Sequence, residues 1–131
     1  MMSRIASLVA ATAGILALAA GPSSATAPVE PSCPTLANVP CAWHQPTGSG
    51  IVGSARINAA GSQLTTLRVE VKIQRAWGSP WETVASATRI QSGSVQVSTP
   101  AVTTEFLSQV CATGGPAGRP ELQATTCTSP H

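Results

Sequence analysis

One stretch of the chain limits the choice of folds more than any other. Leu67, Val69, Val71 and Ile73 alternate with Arg68, Glu70, Lys72 and Gln74. Successive side chains of a strand point to opposite faces, so the branched apolar residues share one face and the charged and polar ones the other. A helical period would scatter the four apolar side chains around a cylinder. The pattern predicts an antiparallel strand with one dry and one wet face. Burying four such side chains at roughly 1.5–3 kcal/mol each makes it the expected centre of a core.

The neighbouring segments repeat the theme more faintly. Trp77-Gly78-Ser79-Pro80-Trp81 breaks the strand and β-like composition resumes over 81–90, which predicts a hairpin turning at 78–80. Residues 51–59 read as an earlier strand behind the turn signal Thr47-Gly48-Ser49-Gly50. Val95 and Val97 mark a short strand that ends before Pro100. Residues 105–112 and 121–127 read as the last strands, with the glycine-rich 114–118 as a loop between them. The expected fold class is all-β, a small antiparallel β-sandwich of about six to seven strands. Residues 28–46 contain five prolines and two cysteines, unsuited to a helix or a central strand, and are expected to form an irregular arm pinned by a disulfide. The tail beyond Cys127 is expected to be loose.

The first residues read differently. After Arg4 comes an uncharged apolar run over 5–20, then small residues, the make-up of a signal peptide cut after Ala25. The run is shorter than the roughly 20 residues that span a bilayer core, and no cysteine follows it to take a lipid. The expected organisation is a signal peptide over 1–25, a proline-rich arm over 26–46 and a sandwich over 47–131. The product would be a secreted, extracellular monomer, free of the membrane after cleavage. About 105 residues would remain, few enough that the core alone stabilises them modestly.

Four cysteines in such a chain imply two disulfides. Local pairing, Cys33 with Cys41 and Cys111 with Cys127, is the preferred reading. Crossed pairing stays open, since longer loops are worth up to about 4.7 kcal/mol against roughly 3 for a loop of 15 residues. A metal site from Cys33, Cys41 and His44 lacks the spacing of zinc sites and would need reduced thiols, so no metal or cofactor is expected.

Catalytic designs find few parts. The chain has no aspartate or tyrosine, and its only histidines are His44 and His131. A Ser-His-Asp triad cannot be assembled, and no G-x-S-x-G elbow is present. Glu70, Glu82 and Glu105 could in principle supply a carboxylate pair, but Glu70 between Arg68 and Lys72 reads as a solvated partner on a wet face. No catalytic residue is assigned, and the chain is not expected to be an enzyme. Beyond residue 25, Lys72 and five arginines against five glutamates are evenly spread, which disfavours nucleic-acid binding. Trp77 and Trp81 flank a tight turn and form the candidate binding surface, an aromatic platform for a sugar or peptide. Trp81 and Phe106 are also candidates to cover the core, Trp77 is the more exposed, and Trp43 beside Cys41 is expected to cover the arm's disulfide.

The run over 67–85, with its Val-x-Val-x-Ile alternation, its turn and then Trp81-Glu82-Thr83-Val84-Ala85, is followed by Cys111-Ala112-Thr113-Gly114. Together these resemble the small secreted, immunoglobulin-like β-sandwich proteins common in actinobacteria, which are largely uncharacterised. The resemblance implies fold and export and transfers no active site. Gly114-Gly115-Pro116-Ala117-Gly118-Arg119 stands where those proteins carry a Gly-Thr-Tyr-Arg type of continuation. The expected function is a secreted, non-enzymatic binding module for a protein or a cell-envelope glycan. The alternative is a small extracellular protease inhibitor or defence protein that presents residues 114–120 with Arg119 as anchor, although an Arg-Pro bond is a poor mimic of a cleavable substrate.

Overall fold

The alternating segment becomes the central strand. In the computed structural model, which describes residues 33–131, Leu64–Gln74 (β3) buries Leu67, Val69, Val71 and Ile73 and turns Arg68, Glu70 and Lys72 to the other face. Its partner across the predicted turn is Glu82–Ser92 (β4), paired antiparallel from Leu64 with Ser92 to Ile73 with Glu82. On its other side runs Leu107–Pro116 (β6), followed by a 3-10 turn at Pro120–Leu122 and by Ala124–Cys127 (β7). These make a four-stranded sheet in the order β4-β3-β6-β7. Cys41–Thr47 (β1), Gly50–Ile57 (β2) and Val95–Ser98 (β5) make a second sheet in the order β1-β2-β5. The ladders between these strands are all antiparallel, and the described residues form a seven-stranded β-sandwich.

The core lies between the sheets. Ala55 and Ile57 of β2 and Val95 of β5 meet Leu67, Val69 and Val71 of β3 and Val110 and Ala112 of β6. Gly53 faces the same layer, and a Cβ there would sit 2.7 Å from Cγ2 of Val71 and 3.2 Å from Cγ1 of Val110. Alternation in β2 calls for a side chain at this position, and close approach of the opposing valines forbids one.

Both disulfides join near neighbours. Cys33 bonds Cys41 and Cys111 bonds Cys127. Cys111 and Cys127 stand directly opposite each other in the β6–β7 ladder, with Cα atoms 4.1 Å apart, close to the spacing of a non-hydrogen-bonded antiparallel pair. Two such bonds belong to an oxidising environment. Among the described residues no helix is long and apolar enough to cross a membrane. The predicted signal peptide and the first residues of the arm lie outside the described residues.

Four expectations need correction. The arm is not irregular throughout, because residues 41–46 belong to β1, where Pro46 lies opposite Ile51. β1 is an edge strand, so a missing N–H costs no ladder bond on its open side. Residues 38–40 are also docked: Asn38 N–H donates to Asn58 O at 2.8 Å, and Gln63 Nε2 donates to Asn38 Oδ1 at 2.7 Å. Next, Gly114, Gly115 and Pro116 extend β6 where a loop was expected. A Cβ at Gly114 would come within 2.8 Å of the Thr66 carbonyl oxygen and 3.0 Å of Leu67 Cδ1, so the glycine answers tight packing. The last strand is also shorter than 121–127, because the 3-10 turn takes up its start.

The fourth correction concerns the tail, which is held against β6 rather than loose. Thr128 N–H donates to Val110 O at 2.9 Å, and Ser108 and His131 exchange two backbone bonds of 2.9 Å each. β7 alone would leave the Ser108 end of β6 unpaired, and the tail supplies the partners that buried backbone groups require.

Candidate binding surface

The β3–β4 turn is rigid for reasons visible atom by atom. Ser79 N–H donates to Ala76 O at 3.0 Å and closes a β-turn in which Gly78 occupies the third position with φ +83°. A positive φ there, with a negative one at Trp77, is the type II turn that glycine permits. Ser79 Oγ donates to Ala76 O at 2.7 Å, and Gln74 Nε2 donates to Ser79 O at 2.9 Å, tying the turn to the end of β3. Trp77 sits at the second position and is 95% exposed. Trp81 is half-buried just before β4 and stands outside the core cluster, so it does not cap the core as expected. Among the described residues no ring contact joins the two indoles.

Beside the turn lies an open cleft of about 400 Å³. Ile73, Val84 and Val102 give it apolar walls, and Arg75, Glu105 and Phe106 give it polar and aromatic ones. Phe106 was expected inside but is 41% exposed. Its ring lies under the Arg75 guanidinium, 5.3 Å from the carbon to the ring centroid, and Arg75 Nε donates to Glu82 Oε2 at 2.8 Å. The guanidinium is thus held between a ring face and a carboxylate, with its apolar and polar needs both met. Trp77 and Trp81 do not line the cleft; they flank the turn that leaves its Arg75 side. The sequence reading missed Arg75 and Phe106 as members of this end. The only signal lay in Phe106 being the chain's single phenylalanine within a polar run, Thr103-Thr104-Glu105.

The other singled-out residues lie elsewhere. Trp43 is 5% exposed and shares a face of β1 with Cys41, as alternation requires, and its Nε1 finds no partner among the described residues. Glu70 lies on the wet face between Arg68, 3.2 Å away, and Lys72, 3.8 Å away, and accepts from Thr83 at 3.4 Å. Arg119 Nε donates to Glu121 Oε2 at 2.7 Å and holds that carboxyl below its usual range. With Gly114–Pro116 absorbed into β6, the exposed part of the segment containing Arg119 is short.

The two histidines, remote in sequence, come together. Their ring centroids are 4.4 Å apart in an edge-to-face arrangement, and His44 Nε2 lies 3.3 Å from Ser108 Oγ. Ser108 is only 1% exposed, so its hydroxyl cannot meet a substrate without the sandwich opening. Burial holds the His44 imidazole below its ordinary pKa of 6.5, the His131 ring adds to this, and a bond to Ser108 opposes it. The folded protein therefore binds a proton at His44 less readily than the unfolded chain. The stability linked to His44 is complete above pH 6.5 and declines as pH falls through and below that value. Thermal unfolding followed by circular dichroism should show a lower midpoint at pH 5.5 than at pH 7.5, and His44→Gln should flatten the difference. An unchanged slope in that variant would remove His44 from the account.

Among the described residues no group of three or more histidine, cysteine, aspartate or glutamate side chains is placed to hold a metal ion. No family model, no curated protein and no solved structure matches this chain.

Proposed function

We propose that the chain is an exported, non-enzymatic recognition module whose partner, a protein or a cell-envelope polysaccharide, is held at the turn end of the sandwich. The observation that carries this reading is Trp77, 95% exposed at a turn braced by two hydrogen bonds of Ser79 and one from Gln74. An indole carried on a braced backbone offers a large contact area with few side-chain torsions to freeze, the property that makes tryptophan an anchor at recognition surfaces. The adjoining cleft adds an arginine and a phenylalanine. The two disulfides favour export. The non-enzymatic reading rests on the buried Ser108 beside His44, the absence of aspartate, and glutamates such as Glu70 and Glu82 that are engaged with cations.

Trp77→Ala should leave unfolding free energy within about 0.5 kcal/mol of the parent, because the side chain is in water. It should weaken partner binding by about thirtyfold, the loss typical of a central anchor. Isothermal titration with solubilised cell-envelope polysaccharide and with secreted proteins of the same source measures both arms. Val84→Ser separates them, since the aliphatic wall should matter for a protein side chain and little for a sugar stacked on Trp77. A partner bound equally well by the parent and by Trp77→Ala would sink the proposal.

A further inference from the structure

The two sheets have four edge strands, and the chain treats them unequally. β1 carries Pro46. β5 has four residues and is followed by Pro100. β7 also has four, is bonded through Cys127 to β6, and leads into the docked tail. β4 alone is long, eleven residues without proline or lysine, each exposed or half-buried. Free N–H and C=O groups on such an edge are a template for another strand, which is why proteins usually block them.

The ladder tells which groups are free. Gly93 N–H donates to Gln63 O at 2.8 Å, and the register continues without a shift from Leu64 opposite Ser92 to Val71 opposite Ala85. Bonded and non-bonded pairs alternate in an antiparallel ladder, so Ala85, Ala87, Arg89 and Gln91 exchange bonds with β3. The backbone groups of Ser86, Thr88 and Ile90 then point away from β3, and among the described residues no hydrogen bond reaches them. The Thr88 and Ile90 side chains share the wet face with Arg68 and Thr66, and Ile90 is 58% exposed. On the opposite face, Arg89 reaches towards the other sheet and its Nη1 donates to Gln96 O at 3.2 Å.

Two open clefts, of about 520 and 340 Å³, lie along this side between β4 and β5. Arg89 and Gln96 line both, Arg56 and Gln91 join them in the second, and among the described residues no carboxylate lines either. An incoming strand would therefore meet a row of unpaired amides, arginine and carboxamide on one face and Ile90 on the other. We propose that the free edge of β4 docks an extended acidic segment of another protein, which adds to the four-stranded sheet as a further strand. Carboxylates on one face of that strand meet Arg89, and apolar residues on the other face cover Ile90. This surface is built from residues other than the turn that carries Trp77, and it stands on backbone geometry and charge.

The probe is a fluorescein-labelled peptide of about eight residues, a common strand length, alternating valine with glutamate, beside a control alternating valine with lysine. Fluorescence anisotropy should show saturable binding of the acidic peptide and at least about tenfold weaker binding of the basic one. Thr88→Pro removes an N–H from the free edge without touching a backbone bond to β3, at the cost only of the exposed 3.4 Å contact from Arg68 Nη1 to the Thr88 hydroxyl. At an edge position proline is tolerated. It should cost about tenfold or more in affinity with unchanged circular dichroism. Arg89→Glu should invert the preference between the two peptides, which keeps the proposal open to test if the proline variant folds poorly. Equal binding of both peptides, no binding of either, or indifference to both variants would overturn the assignment. So would a dimer in sedimentation that Thr88→Pro dissociates, because the edge would then belong to a second copy of this chain.

Discussion

Leu67→Ala is expected to lower the free energy of unfolding by about 2–5 kcal/mol, the range for emptying a fully buried leucine site. Leu67 is completely buried between Arg89 of β4 and Gly114 of β6, and its Cδ1 is one of the atoms that keep a Cβ out of position 114. The layer cannot close over the missing methyl groups easily, because Gly114 also abuts the Thr66 carbonyl and Ile57 Cδ1. For a domain of this size each kcal/mol moves the midpoint by about 4–8 °C, so thermal unfolding should drop by at least about 8 °C. Arg68→Ala, one residue away on the wet face, should change stability by less than about 1 kcal/mol, since its ion pair with Glu70 is solvent-exposed. Equal effects at the two positions would mean that β3 does not separate a dry face from a wet one.

Replacing both Cys111 and Cys127 by alanine is expected to cost about 3 kcal/mol, the chain-entropy value for the loop of 16 residues that the bond closes. The bond anchors β7 and, beyond it, the tail that pairs with Ser108, so its loss should loosen the whole edge of the four-stranded sheet. The Cys33–Cys41 bond closes a loop of 8 and is worth about 2.5 kcal/mol by the same reasoning. It ties a peripheral segment to an edge strand, so its loss should raise amide exchange mainly at 33–41. Guanidinium unfolding of the two double variants, read together with hydrogen exchange, distinguishes them. A Cys111/Cys127 variant as stable as the parent would show that the tail holds that edge by itself.

What could be read from the residues follows from how local the deciding physics is. Leu67, Val69, Val71 and Ile73 announce β3 because the strand is buried on one face and wet on the other, and the alternation records both environments. The β3–β4 turn was legible because Gly78 and Pro80 do their work within the turn itself. β1 was hidden because Pro46 marks a broken strand unless the strand is known to lie at an edge, and edge position is a property of the whole sheet. Gly114 and Gly115 read as a loop for a similar reason: glycine can mean freedom or crowding, and only the neighbouring Thr66 carbonyl decides.

The candidate site divides along the same line. Exposure of Trp77 was legible from its place beside Gly78, whereas Phe106 and Arg75 meet only because β3 and the start of β6 end at the same side of the sandwich. The His44–His131 contact arises from the tail returning along β6, and no spacing in the chain encodes it. The disulfide pairing was open between local and crossed forms, and the direct opposition of Cys111 and Cys127 across adjacent strands decides for the local one.

Recognition through the turn end is tested most directly by an amide and indole NMR titration. The three tryptophans give three indole N–H signals in a ¹⁵N-labelled sample, and fragments of cell-envelope polysaccharide or a candidate protein are added stepwise. In the free protein the Trp77 indole should exchange fast with water, and Trp43, buried on its face of β1, should exchange slowly. On addition of the partner, the Trp77 signal and the amides of 75–82 should shift together while Trp43 stays in place. A shielded Trp77 in the free protein, or a bound partner that moves Trp43 and leaves Trp77 unchanged, would contradict recognition at this end of the sandwich.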